Sequence, residues 1–119
     1  VSEDGSVQLL VCVEGDPVGT VGLQFDDGAV RSAELGYWIA PDHHGEGYGT
    51  EAAALLTGYG FEERGCHRIT ARVFEFNDAS QALLERLGFR EEGRQREAHF
   101  ADGEYRDVRW YGMLAEEWN

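Results

Sequence analysis

Between the aromatic run AELGYWIA and the apolar run EAAALLTGYGF lies HHGEGYGT, His43 to Thr50, with glycines at positions 45, 47 and 49. Glycines at alternate positions remove the β-carbons that would hold a ligand away from the backbone. The first turn of a helix carries N–H groups without intrahelical partners, and the macrodipole gives that end partial positive charge. A loop of this kind can therefore cradle a phosphate with backbone alone. A P-loop would need Gly-Lys-Ser/Thr at the helix entry, and Gly49, Thr50 and Glu51 stand there instead. A dinucleotide fingerprint would need GxGxxG after an early parallel strand, and the spacing here is GxGxG.

Other side chains could move protons. Glu34 lies in AELGY and His99 in REAHF, each in a run that reads as a strand. Asn77 and Ser80 sit in NDAS, where both residue types suit either a ligand contact or a helix cap. Asp107, inside YRDVRWY, is expected to fix a structural hydrogen bond. His43 and His44 do not make a metal site, because adjacent loop side chains diverge and no third ligand is spaced nearby. Cys12 and Cys66 lack CxxC spacing and lie in apolar runs, so two buried free thiols are expected.

Composition narrows the partners. The chain has 119 residues, enough for one domain over 1–119, and no run long enough for a membrane span. Its net charge is −13, and all 10 basic residues are arginine. Such a body repels phosphate backbones and anionic membranes, which argues against nucleic acid or membrane partners. A salt-loving source accounts for acidic, lysine-free composition, and a cytoplasmic location is expected.

The elements that must carry these residues read clearly. VQLLVCVEGDPVGTVGLQF predicts two strands around a turn at Gly15-Asp16-Pro17, and AELGYWIA a third. A helix is expected from about Thr50 to Arg64, with Ala52, Leu55, Leu56 and Tyr59 as its apolar stripe and Gly65 as its stop. HRITARVFE alternates as a strand with Ile69, Ala71 and Val73 on one face. ASQALLERLG predicts a short helix with Leu83, Leu84 and Leu87 inward. The tail predicts a hairpin about Ala101-Asp102-Gly103-Glu104, with Glu91, Glu92, Arg94, Arg96 and Glu97 as solvated surface. The order β-β-β-α-β-α-β-β gives an α/β (α+β) layer: a mixed, mostly antiparallel, twisted sheet flanked by helices, parallel where the long helix crosses over.

With these blocks in order, HHGEGYGTEA resembles the Q/R-x-x-G-x-G/A signature of the Gcn5-related N-acetyltransferases, with His44 in the Q/R position and Gly47 and Gly49 at the glycines. AELGYWIAPDHHGEGYGTEA, HRITARVFEFNDASQALLERLGF and DGEYRDVRWYGML further resemble the branch that acetylates ribosomal protein N-termini. The likeness runs from about Val7 to the C-terminus. It implies acetyl-CoA as co-substrate, no metal, and direct attack of a primary amine without a covalent enzyme intermediate.

The resemblance also implies roles. Trp38 and Ile39 would bond the pantetheine arm through their backbone, and His44, Gly45, Glu46, Gly47, Tyr48, Gly49 and Thr50 would cradle the pyrophosphate. Asn77 and Ser80 would contact the far end of the coenzyme. Ser80, or a nearby tyrosine, would protonate the leaving sulfur. Glu34 stands where relatives carry an acidic residue acting through water. His99 stands where ribosomal-protein acetyltransferases can carry a glutamate, so two bases remain open. His44 and Glu46 depart from the usual basic or amide residues, and Glu46 should weaken pyrophosphate binding.

The family fold opens with a further strand and one or two helices that wall the acceptor site, so this N-terminally short chain implies an open site, one covered by a partner, or one completed by a longer gene product. An exposed edge would favour a homo-oligomer. The acceptor classes are a protein N-terminus, an amino acid or an antibiotic amine, the acidic surface favouring a cationic one. The contrasting reading is an acyl-CoA-binding module, or truncated core, without turnover.

Overall fold

The computed structural model describes residues 6–26, 31–39, 47–74 and 78–118, with residues 39, 48, 78 and 79 by backbone alone. Strands β1 (Ser6–Val13), β2 (Asp16–Asp26) and β3 (Ser32–Ile39) are followed by helix α1 (Tyr48–Gly58), which tightens into a π-turn over Tyr59–Glu63. Then come β4 (Arg68–Phe74), α2 (Asp78–Leu87), β5 (Arg90–Ala101), β6 (Glu104–Leu114) and a short 3-10 turn. The strands form one sheet in the order β1-β2-β3-β4-β6-β5. Only the β3–β4 neighbours run parallel, as the crossover through α1 requires. This is the mixed, mostly antiparallel sheet the sequence implies.

Period-2 alternation decides which face is covered. Val21 and Leu23, Ala33 and Leu35, Ile69, Ala71 and Val73, and Tyr111 and Met113 are buried in one cluster with Ala52, Ala53 and Leu56 of α1 and Leu84 of α2. Both helices therefore lie on one face. The intervening residues, among them Glu34, Gly36, Arg72 and Trp110, belong to the opposite face, where the groove described below opens. Leu83 and Leu87 pack at the edge of the core, and Gly88 ends α2 at φ +103°.

Four details correct the sequence reading. The first turn is Glu14-Gly15, with φ of 52° and 87°, and Asp16 already pairs with Val13. Pro17 sits in the strand beside a register shift at Val11/Cys12, where a missing N–H is tolerated. Helix α1 starts at Tyr48, two positions before the expected Thr50, so Gly49 is a buried residue of its first turn. Leu55 is 69% exposed: α1 turns its small residues Ala52 and Ala53 to the sheet, which lets it approach closely. Cys12 is exposed and only Cys66 is buried, because Val11 and Val13 take the inward positions of β1.

The π-turn has a local cause. Arg64 N–H bonds the Tyr59 carbonyl at 3.1 Å, and Gly60 faces the sheet so closely that a β-carbon there would lie 2.8 Å from Ile69 Cδ1. At the far end, Asp102 and Gly103 take φ of 54° and 76°, the type I′ signature that joins β5 to β6.

Candidate functional site

The parallel β3–β4 ladder is short. It pairs Ser32–Leu35 with Arg68–Ala71 and goes no further, although β3 continues to Ile39 and β4 to Phe74. On its other side β3 stays paired with β2 as far as Ile39. The carboxyl ends of two neighbouring parallel strands thus part, and a crevice at such ends is where open α/β sheets bind ligands. Each strand feeds a helix from that same edge. The Tyr37 hydroxyl donates to the Ser80 carbonyl at 3.1 Å and holds the first turn of α2 against the parted end of β3.

A cavity of about 310 Å³ opens at the parting, lined by Glu34, Tyr37, Arg72, Phe74, Gln95 and His99 among others. Glu34 and His99, read from distant sequence blocks, therefore line one cavity. Glu34 is not free: its Oε2 accepts from Arg72 Nε at 2.8 Å. The His99 ring stacks on Phe74 with centroids 4.0 Å apart and planes 16° from parallel.

His99 owes its place to an irregularity in β5. Gln95 pairs with Val108 and His99 with Arg106, so the segment between them is bulged. Within it Glu97 has φ +50°, and its N–H donates to Asp107 Oδ1 at 2.9 Å. Asp107 thus makes the structural hydrogen bond expected of it. The surrounding charges are exposed but paired: Arg94 lies 3.6 Å from Asp107, and Arg68 grips Glu92 through both guanidinium nitrogens.

Tyr37 is the side chain that sequence inspection left unnumbered. It lies in the alternation of β3 with Ala33 and Leu35, which reads as core. Burial raises its phenol pKa, with the hydrogen bond to Ser80 opposing. Only the fold brings α2 to its hydroxyl. Ser80 itself is half-buried in the first turn of α2.

Helix α1 begins with Gly47 as N-cap, in the left-handed region at φ 87° and ψ −4°, with no side-chain cap. The first intrahelical bond runs from Glu51 N–H to the Gly47 carbonyl at 3.0 Å, leaving the N–H groups of Tyr48, Gly49 and Thr50 ahead of the ladder. Among the described residues, nothing lies within 4 Å of where a Gly47 β-carbon would stand. A first turn with a glycine N-cap and no side-chain cap fits a pyrophosphate. Trp38 is 59% exposed and lines a second cavity, while Ile39 continues the β2 ladder opposite Gly19. His44, Gly45, Glu46 and Asn77 lie outside the described residues.

Comparison with known proteins agrees with this architecture. A family model described as an acetyltransferase (GNAT) domain matches residues 2–90. YdaF of Bacillus subtilis, provisionally described as a ribosomal N-acetyltransferase, is 37% identical over 88% of this chain and 57% of its own length. The spermidine N(1)-acetyltransferase of Escherichia coli is 28% identical over 91% of this chain and 58% of its own. The structure of Mycobacterium smegmatis RimJ with CoA-disulfide superposes with a TM-score of 0.86 at 35% identity, over 94% of this chain and 54% of that one. The chain thus spans little more than half the length of these relatives. With the signature, the parted parallel strands and the matched family model in agreement, the chain belongs to the GNAT acetyltransferase family.

Proposed function

We propose that this chain is the coenzyme-binding and catalytic core of an N-acetyltransferase that moves an acetyl group from acetyl-CoA to a primary amine, with a protein N-terminus as acceptor. The observation that carries the reading is the early end of the β3–β4 ladder, which opens a crevice at the carboxyl ends of two parallel strands. Greater identity to YdaF, provisionally described as a ribosomal N-acetyltransferase, than to the spermidine enzyme supports a ribosomal-protein acceptor over a polyamine.

Acetyl-CoA supplies an activated thioester carbonyl. The first-turn N–H groups of residues 48–50 hold its pyrophosphate, with Gly47 giving access and His44, Gly45 and Glu46 completing the loop. The backbone of Trp38 and Ile39 bonds the pantetheine arm, and the parted end of β3 supplies an N–H to the carbonyl oxygen as it gains charge. Asn77 and Ser80 contact the far end of the coenzyme, with Ser80 close to the sulfur. Glu34, acting through water, or His99 accepts the proton of the amine; both line the cavity where the amine would stand. Ser80 or Tyr37 protonates the departing thiolate, Tyr37 by turning its single O–H from the Ser80 carbonyl to the sulfur.

Calorimetric titration with acetyl-CoA in molar potassium chloride, for the natural chain and for Gly47→Glu, tests the cradle. Saturable binding abolished by the substitution is expected. A folded chain that binds no coenzyme would overturn the reading. Release of CoA upon adding an alanine-starting peptide then separates an enzyme from a module that only binds.

A further inference from the structure

The parting between β3 and β4 serves two cavities. The second, about 510 Å³, extends over β1 and β2 past Ser6, Gln8, Thr20 and Gln24. Glu34 and Arg72 belong to the lining of both cavities, so their ion pair stands where the two meet.

The charge of this groove differs from that of the whole chain. Asp and Glu total 23 in the sequence, yet among the described lining residues Glu34 is the sole carboxylate. The remaining polar lining is dominated by neutral amides and hydroxyls. Arg72 is held from two sides: its Nε donates to Glu34, and its guanidinium lies 5.5 Å from the centroid of the Trp110 ring, opposite it in the β4–β6 ladder. A guanidinium keeps its charge across the whole working pH range, and the aromatic face favours its retention there.

Resting on the acetyl-transfer reading above, we propose that Arg72 is a specificity-determining residue. By neutralising Glu34 at the junction of the cavities, it selects acceptors that bring one amine on a neutral, hydrogen-bonding chain, and it discriminates against acceptors carrying further cations. Without Arg72 the Glu34 carboxylate would attract an ammonium group; with it, a second ammonium meets a fixed positive charge. Both partners are partly solvent-exposed, 57% and 36%, so screening sets the effect at about tenfold rather than many orders of magnitude.

The test compares the natural chain with Arg72→Gln, Arg72→Lys and the double variant Glu34→Gln/Arg72→Gln. Each is titrated calorimetrically, with CoA present and at one fixed salt concentration, against spermidine and against a hexapeptide with N-terminal alanine and no other cation. Arg72→Gln is expected to raise the spermidine-to-peptide affinity ratio by about tenfold. Arg72→Lys should stay near the natural ratio, and the double variant should return to it.

An unchanged ratio in Arg72→Gln would overturn the proposal. So would a rise that persists in the double variant, since that attributes the attraction to the acidic surface at large. Acetylation assays on the same samples separate the two readings. Coenzyme binding without turnover of either acceptor counts against the proposed function, while the binding ratios still report on Arg72.

Discussion

The Tyr37 hydroxyl and the Ser80 carbonyl, 43 positions apart in the chain, meet at 3.1 Å where β3 leaves its parallel partner. This bond ties the first turn of α2 to the parted strand and holds a half-buried tyrosine in the lining of both cavities. Because burial raises its pKa, the phenol stays protonated beyond the ordinary tyrosine range.

Tyr37→Phe removes that proton while keeping the ring. Loss of one hydrogen bond should cost about 1 kcal/mol of stability. If Tyr37 protonates the leaving sulfur, kcat should fall about 10²-fold with the KM for acetyl-CoA little changed. Its high-pH limb in the natural chain should lie above the ordinary tyrosine pKa. Steady-state kinetics across pH checks both, and an unchanged kcat would remove Tyr37 from the mechanism.

Asp107 positions His99 through the bulge between Gln95 and His99. Asp107→Ala removes the acceptor of the exposed Glu97 N–H and should cost about 0.5–1.5 kcal/mol in urea unfolding. Asp107→Asn keeps a carbonyl oxygen there and should recover most of that loss. Turnover should follow the same order, Ala below Asn, if His99 acts in the reaction.

The Arg68–Glu92 pair makes stability fall in acid. Hydrogen bonding to Arg68, with its charge in support, lowers the Glu92 pKa, against opposing desolvation. A carboxyl depressed in the folded state stabilises above its unfolded pKa and loses that contribution as pH falls through the folded value. Since both side chains are about a third exposed, 35% and 33%, the contribution is held to below ~1 kcal/mol. Urea midpoints at neutral pH and at about pH 3 should therefore differ less for Arg68→Gln than for the natural chain.

Thr57 is fully buried in α1, and its hydroxyl has no hydrogen-bond partner among the described residues. Valine has nearly the same shape without the unsatisfied group. Thr57→Val should raise the stability by about 1 kcal/mol, read as a higher urea midpoint at constant slope. A lower midpoint would mean that the hydroxyl is satisfied after all.

Much of this was legible in local sequence. Ile69, Ala71 and Val73 announced β4 by alternation, and Asp102-Gly103 announced the last hairpin by turn chemistry. Leu55 misled because its spacing fits a stripe equally well. Small residues at 52 and 53 allow α1 closer to the sheet, and that close approach depends on the strands beneath. Cys12 misled in the same way, since an apolar run does not say which of its two faces is inward.

The sequence by itself determined the order of elements and the glycine-rich approach to α1, because periodicity and turn residues are properties of neighbouring positions, while the N-cap itself, Gly47, came from the structure. The resemblance of the sequence to the acetyltransferase family marked Glu34, Ser80 and His99 as candidates. The tertiary structure decided which of them share a cavity, that Arg72 engages Glu34, that Tyr37 reaches Ser80, and where the parallel ladder ends. Those relations join positions tens of residues apart, and they exist only once the helices have packed on one face of the sheet.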